Sequence, residues 1–155
     1  MFKFYRQIFP KVISRFLCLI ALLFPHSMLG SSFNIEDYKG KVVYLDFWAS
    51  WCGPCKESFP WMNEMHTQYE KDGLVIIAVN LDANSEDMDA FLKQHPAKFQ
   101  ILADPKAQLA EEMQVQAMPT SFLFDRQGEF VKQELGFRKK KAPYYEEALK
   151  KALGK

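Results

Sequence analysis

The chain has 155 residues, which is enough for one domain with its own hydrophobic core. It is 48% hydrophobic and 25% charged, as soluble globular domains are, and its formal net charge of +1 argues against the basic surface of a nucleic-acid-binding protein. The three cysteines, Cys18, Cys52 and Cys55, exclude a fold held by several disulfides, because they allow only one bridge.

The N-terminal residues 1–30 are predicted to be a signal peptide or an N-terminal anchor. Four basic residues and no acidic one come first, an unbroken apolar run follows at 16–24, and small and polar residues end the segment. The run is well short of the ~20 residues of a spanning helix, so a signal is favoured, with an anchor through residues 8–24 as the alternative. Cys18 is interpreted as an ordinary residue of this run. The domain at 31–155 is therefore expected in the periplasm or another extracytoplasmic compartment, where disulfide chemistry is allowed.

The rest of the chain predicts strands that alternate with helices. The strands are rich in β-branched and aromatic residues and are predicted at 42–47, 74–79, 99–102, 120–124 and 129–135. The helices are predicted at 56–71, 85–94, 104–113 and 144–153. Gly73 is expected to cap the first helix, and residues 125–128 to join the last two strands as a hairpin. This order predicts an α/β domain with a mixed sheet and helices on both faces.

Two thiols lie between the first predicted strand and the first predicted helix. Cys52 and Cys55 flank a Gly53-Pro54 turn, and proline suits a first helical turn, where its missing N–H costs nothing. A helix that starts near Pro54 places Cys52 at its N-terminal edge, where backbone N–H groups and the helix dipole favour thiolate over thiol. A strand, an exposed dithiol and a helix in this order are typical of a redox site.

Other uses of a C-x-x-C pair agree less well with the sequence. Structural zinc needs two more ligands, but there is no second cysteine pair, and His66 and His95 are isolated. Haem attachment needs a histidine at position 56, which is Lys56. A purely structural disulfide between residues so close in sequence would stabilise the fold little. Redox chemistry without a metal or other cofactor is the favoured interpretation.

The segment YLDFWASWCGPCK at 44–56 resembles the active-site segment of the thioredoxin superfamily. Met118-Pro119-Thr120 resembles the cis-proline loop of that family. The helix–strand unit at about 85–102 resembles an insertion of the exported, TlpA/ResA-like bacterial members. The resemblance covers about residues 38–154. It implies a thioredoxin fold, with a central mixed β-sheet flanked by helices and an extra helix–strand insertion before the cis-proline loop, and a thiol:disulfide oxidoreductase activity.

Two departures from the exported members bear on the pathway. These members usually carry an N-terminal β-hairpin, whereas only residues 31–39 separate the predicted signal from the Gly40-Lys41 stretch. Many cytochrome-maturation members have a glutamate three residues after the second cysteine, where this chain has Ser58, with Glu57 one place early. Both departures weaken a specific role in cytochrome c maturation.

The resemblance implies roles for the residues around the dithiol. Cys52 is expected to be the nucleophile and Cys55 the resolving thiol. Asp46, an acid inside a buried strand, is expected to take the proton from Cys55, with burial raising its pKa. The alternative for Asp46 is a structural carboxylate tied to a buried lysine or backbone N–H.

A substrate surface is expected beside the dithiol. Pro119 is expected to be cis and to offer the backbone of Met118 to an extended substrate segment. Trp51, Gly53 and Pro54 are expected to complete the contact surface, with a plain core or rim position as the alternative for the tryptophan.

The direction of the reaction is predicted from the Gly-Pro spacer. It matches the reducing thioredoxins, so the expected partners are disulfide-containing protein substrates and a membrane thiol electron donor. The alternatives are an oxidase or isomerase direction, a thiol-based copper metallochaperone, since soft thiolates suit Cu(I), and a non-catalytic domain that only holds unfolded cysteine proteins.

Overall fold

The computed structural model describes residues 33–155, so the signal or anchor predicted at 1–30 lies outside the described residues. The strands β1 to β5 span Val42–Trp48, Leu74–Asn80, Gln100–Ala103, Thr120–Phe124 and Phe130–Leu135. The helices α1 to α4 span Gly53–Tyr69, Ser85–Gln94, Gln108–Glu112 and Ala142–Leu153. None of the helices in this part of the chain has the length and apolarity needed to cross a membrane.

The five strands form one mixed sheet in the order β3-β2-β1-β4-β5. Strand β1 pairs in parallel with β2, which pairs in parallel with β3, while β4 is antiparallel to both β1 and β5. This confirms the predicted mixed sheet and the central position of the first strand. Helix α2 and strand β3 form a helix–strand unit where one was expected; that this unit is an insertion relative to the fold stays a prediction.

The central strand β1 is buried along its whole length because both faces of the sheet are covered. Its side chains alternate between two hydrophobic clusters. Tyr44 and Trp48 pack into a cluster with both cysteines and the apolar faces of α1 and α4. Val43, Leu45 and Phe47 pack into a second cluster on the opposite face. The first cluster also contains Phe59, Met62 and Met65, so these residues of α1 belong to the core.

Helix α1 begins at Gly53, directly after its N-cap residue Cys52. It continues through Pro60 and ends at Tyr69. A short 3-10 turn follows and ends at Gly73, whose φ of +97° is a backbone conformation that glycine adopts without strain. The predicted glycine cap therefore closes the 3-10 turn that extends the helix.

The third helix is shorter than predicted. The sequence predicts a helix over 104–113 that opens at Asp104, but α3 spans only Gln108–Glu112. The Asp104 carboxylate accepts hydrogen bonds from the backbone N–H groups of Gln108 at 2.8 Å and Ala110 at 3.0 Å. Asp104 thus stabilises the first turn of α3 from outside the helix. Ala107, with a φ of +53°, does not have a helical conformation, so the helix cannot extend back to Asp104.

Candidate active site

The two cysteines lie where β1 leads into α1, and they are joined as a disulfide. The backbone N–H of Cys55 donates to Sγ of Cys52 at 3.3 Å, so the N-cap sulfur accepts a bond from the first helical turn. When the pair is reduced, this bond and the positive end of the helix dipole favour the thiolate of Cys52.

The sulfur atoms are less exposed than the sequence predicts. Cys52 is 3% exposed and Cys55 is fully buried. The open surface is formed by their neighbours: Trp51 is 71% exposed, Pro54 is exposed, and a Cβ on Gly53 would meet no atom within 4 Å. The prediction of an exposed dithiol is therefore wrong for this disulfide form, because the side chains of the first cluster pack around both sulfurs.

The two tryptophans near the dithiol have different environments. Trp51 projects into solvent beside Cys52, as a contact residue would. Trp48 is fully buried, and its ring packs edge-on against Phe59 with 4.8 Å between ring centroids. Trp48 is therefore a core residue, and Trp51 is the aromatic residue available to a partner.

The turn before Cys52 is joined to the end of β2 by hydrogen bonds to a carboxylate that the sequence did not predict as part of the site. Asp82 accepts hydrogen bonds from the backbone N–H of Ser50 at 2.9 Å and from its hydroxyl at 2.9 Å. The side chain of Asn80 donates to the same carboxylate at 2.7 Å. The only sequence signal was two polar residues, Asn80 and Asp82, directly after a buried apolar run.

The loop before β4 contains a cis peptide bond between Met118 and Pro119, as expected. The carbonyl of Pro119 accepts from the backbone N–H of Gly136 at 2.7 Å, which fixes the loop to the end of β5. Met118 packs against the cluster that contains both cysteines. Within residues 33–155, its backbone makes no hydrogen bond to another backbone group, so both its N–H and its C=O are available to a bound segment.

Asp46 is buried in the middle of β1, with 2% of its surface exposed. Its atom Oδ2 has no hydrogen-bond partner among the described residues. This oxygen is therefore not bonded to a buried lysine or backbone N–H, as the structural alternative for Asp46 would require. Burial raises the pKa of Asp46 well above its ordinary value. By the alternation of β1, Asp46 shares a face with Tyr44 and Trp48, which pack in the same cluster as Cys55.

This arrangement can carry out dithiol–disulfide exchange. A sulfur at a helix N-terminus is a good attacking thiolate, a buried second thiol can resolve the adduct, and an acid whose pKa is raised by burial can accept and release a proton. No group of three or more His, Cys, Asp or Glu side chains in the described part of the chain is placed to hold a metal ion.

Known proteins similar to this chain carry out the same chemistry. The family model Redoxin matches residues 22–149. Thiol-disulfide oxidoreductase ResA of Bacillus thuringiensis subsp. konkukian is 36% identical over 122 residues, which are 79% of this chain and 69% of that protein.

Two solved structures support the same assignment. A protein of Chlorobium tepidum, described as a thiol:disulfide interchange protein DsbE, is 50% identical, with a TM-score of 0.75 over 77% of this chain and 85% of that one. The exposed lipoprotein thioredoxin Etrx1 of Streptococcus pneumoniae is 33% identical, with a TM-score of 0.62 over 74% and 88% of the two chains. The chain therefore belongs to the Redoxin family and is a TlpA/ResA-like thiol-disulfide oxidoreductase of the thioredoxin superfamily, with Cys52 and Cys55 as its cysteine pair.

Proposed function

We propose that this protein is exported and reduces disulfide bonds in extracytoplasmic proteins. The observation that carries the proposal is the position of Cys52 as N-cap of α1, with the N–H of Cys55 on its sulfur and the buried carboxyl of Asp46 on the same face of the sheet. The similarity to an exposed lipoprotein thioredoxin supports an extracytoplasmic location, in agreement with the signal-like residues 1–30.

The first step is the attack of the Cys52 thiolate on a substrate disulfide. A new S–S bond forms between Cys52 and one substrate sulfur, and the other substrate sulfur leaves and takes up a proton. Cys52 is the attacking residue because its sulfur lies at the N-cap of α1 and accepts the N–H of Cys55, which stabilises its thiolate, whereas Cys55 is fully buried.

The second step is resolution of the mixed disulfide. Cys55 gives its proton to Asp46 and attacks Sγ of Cys52, and the second substrate sulfur leaves as a thiolate that takes up a proton from water. Two electrons pass from the protein to the substrate, and the product is the Cys52–Cys55 disulfide that the structure contains. A carboxyl with a raised pKa suits this role, because it can take the proton and later return it.

The substrate is proposed to bind as an extended segment beside the dithiol. Trp51, Gly53 and Pro54 supply an open, partly aromatic surface. Met118 supplies backbone hydrogen-bonding groups next to Pro119, in the manner of strand addition. Backbone recognition of this kind selects for an unfolded or flexible disulfide loop rather than for one particular side chain.

The electron donor is proposed to be a membrane thiol carrier. A reductase in an oxidising compartment is left as a disulfide after each turnover, so a donor must return two electrons to Cys52 and Cys55. An N-terminal signal delivers the domain to that compartment, and an uncleaved apolar segment at 8–24 would keep it near such a donor.

Trapping of mixed disulfides tests the proposal. The full chain with Cys55→Ser is expressed in its native host and purified after alkylation of free thiols. We expect adducts with exported proteins that dithiothreitol releases, since the resolving thiol is missing. The matched control carries both Cys52→Ser and Cys55→Ser and is expected to yield none. Adducts formed only with cytoplasmic proteins, or equal adducts in the control, would contradict the proposal.

A further inference from the structure

An exposed basic turn follows β5 at the end of the sheet that carries the dithiol. It consists of Arg138, Lys139, Lys140 and Lys141, all four exposed, and we refer to these residues as the basic turn. The three lysines form a 3-10 turn directly before α4. Strands β1 and β5 are both antiparallel to β4, so the carboxyl ends of β1 and β5 lie where β4 begins. The basic turn, the dithiol and the cis-proline loop therefore share one end of the sheet.

The chain that leads into the basic turn is held beside the cis-proline loop. The N–H of Gly136 donates to the carbonyl of Pro119 at 2.7 Å. Phe137 is buried in the cluster that contains both cysteines. The backbone N–H of Arg138 donates to the hydroxyl of Tyr145, a buried residue of α4, at 3.3 Å. These contacts give the basic turn a defined position relative to the dithiol.

The positive charges of the basic turn are not neutralised within residues 33–155. None of its four side chains forms an ion pair there. The nearest acidic residues along the chain have other partners, since Glu134 pairs with Lys132 and Glu146 accepts from the hydroxyl of Tyr69. The first turn of α4 contains no acidic residue, and the positive end of its dipole repels cations placed before it. These charges therefore oppose the local fold instead of supporting it, and they are available to a partner.

The distance from the basic turn to the dithiol follows from the strand register. Thr120, the first residue of β4, lies opposite Phe47 near the end of β1 and opposite Leu135 at the end of β5. Neighbouring strands are about 4.8 Å apart, so the ends of β1 and β5 are separated by about 10 Å. This is about three residues of an extended chain and about one Debye length at 0.1 M salt. A segment that runs from Cys52 past the cis-proline loop thus reaches the basic turn within a few residues.

The other side of the dithiol carries charges of both signs. Lys56 and Asp87 line one groove together with Ser50, and Glu86 precedes Asp87 in the first turn of α2. An acidic segment is therefore attracted on the side of the cis-proline loop and not on the side of α2. The charge distribution favours one direction for a segment that lies across the dithiol.

We propose that the basic turn binds acidic side chains of the protein substrate, so that attack is fastest at disulfides with aspartate or glutamate about three residues from the attacked cysteine. This inference rests on the proposed function and specifies the substrate class of the same site. Each lysine ammonium offers three N–H groups on a flexible stem, which suits carboxylates of varied position. Because the turn is exposed, its main effect is on the rate of association, and salt weakens it.

A negatively charged membrane surface is the other partner that exposed lysines attract. A bilayer seated on the basic turn would lie at the same end of the sheet as Trp51 and Cys52 and would cover the dithiol. The location of the turn therefore favours a protein substrate over a membrane.

Rates of the first attack by the reduced full-length protein test the proposal. Three disulfide peptides differ only in two residues, three and four positions from the cysteine, which are glutamate, glutamine or lysine. Each rate is divided by the rate of the same peptide with dithiothreitol, which removes the intrinsic reactivity of the peptide. We expect the glutamate peptide to react about tenfold faster than the glutamine peptide at about 0.01 M salt, and the lysine peptide to react more slowly. The three rates should converge at about 1 M salt. Moving the two glutamates to the other side of the cysteine should reduce the preference.

Two double variants locate the preference on the surface. Lys139→Gln with Lys140→Gln should remove most of it. The matched control, Lys150→Gln with Lys151→Gln, removes the same charge from the last turn of α4 and should keep it. Equal rates for the glutamate and glutamine peptides in wild type, or equal loss in both double variants, would overturn the proposal.

Vesicle flotation separates the membrane alternative. Wild-type protein is mixed with phosphatidylglycerol vesicles, and we expect its binding to be the same as that of the Lys139→Gln/Lys140→Gln protein. Binding that only wild type shows, together with no peptide preference, would assign the basic turn to the membrane and overturn the proposal. Because the glutamine peptide reports on the dithiol without the charge preference, its reduction would leave the proposed function intact in either case.

Discussion

Cys52→Ser is expected to lower insulin-disulfide reduction to the uncatalysed rate, whereas Cys55→Ser is expected to stop at a stable adduct on Cys52. The asymmetry follows from the geometry. The sulfur of Cys52 caps α1 and lies beside the exposed Trp51, while Cys55 is fully buried. The thiol at the helix N-cap is therefore expected to attack the substrate, and the buried thiol to release it.

Turnover and intact mass together measure this asymmetry. Reduced wild type, Cys52→Ser and Cys55→Ser are mixed with insulin and dithiothreitol for turnover, and with a disulfide peptide alone for mass. The Cys55→Ser protein should gain the mass of one peptide thiol, and the Cys52→Ser protein should gain none. Full insulin reduction by Cys52→Ser together with its loss in Cys55→Ser would reverse the two roles.

Asp46→Asn is expected to slow resolution about 10²- to 10⁴-fold near neutral pH and to leave the initial attack unchanged. Burial raises the pKa of Asp46, so its base form becomes populated as pH rises through that raised value. The wild-type resolution rate should rise over the same interval, and the asparagine variant should lack this rise. The difference in resolution rate between wild type and Asp46→Asn should narrow at alkaline pH, where Cys55 ionises without a neighbouring base.

Reduced protein and dithiobis-nitrobenzoate separate the two steps, because attack and resolution each release one coloured thiolate. The first release should match wild type in the Asp46→Asn protein, and the second should lag. The Tyr69→Phe protein is the matched control, since its substitution lies in the same cluster, and both of its releases should match wild type. Equal lifetimes of the mixed disulfide in wild type and Asp46→Asn would remove this residue from the mechanism.

A slower Asp46→Asn protein cannot be explained by weaker folding, because the substitution should stabilise the fold at neutral pH. The folded-state pKa of Asp46 lies above the ordinary value of 3.8, so the folded state binds the proton more tightly than the unfolded state. The contribution of Asp46 to stability is therefore greatest below about pH 3.8 and is lost as pH rises towards the folded-state pKa. Above that interval, asparagine should be more stable by about 1–3 kcal/mol, and the difference should vanish in acid.

The sequence predicted the fold well where local signals were strong. The runs that became β1 and β2 are continuously apolar, as strands covered on both faces must be, and α2 spans the predicted residues 85–94. The predicted start of α3 was wrong, because the Asp104 carboxylate accepts hydrogen bonds from N–H groups four and six residues ahead. Asp104 therefore belongs to a turn before the helix.

The site was predictable only where its parts are adjacent in sequence or carried by family resemblance. The C-x-x-C pair, Asp46 and Pro119 were found in this way. The bond from Ser50 to Asp82 spans 32 positions, and the bond from Tyr44 to Ser121 spans 77. Such contacts depend on the register of non-adjacent strands, which composition and periodicity do not specify.

The midpoint reduction potential of the Cys52–Cys55 pair tests the proposed direction most directly. The purified domain is equilibrated in thiol–disulfide buffers of graded potential, quenched in acid, alkylated and counted by mass for reduced protein. A reductase with a Gly-Pro spacer is expected near about −270 mV, in the range of reducing thioredoxins. A potential above about −150 mV, close to the strong oxidants, would contradict the proposal that this protein reduces its substrates.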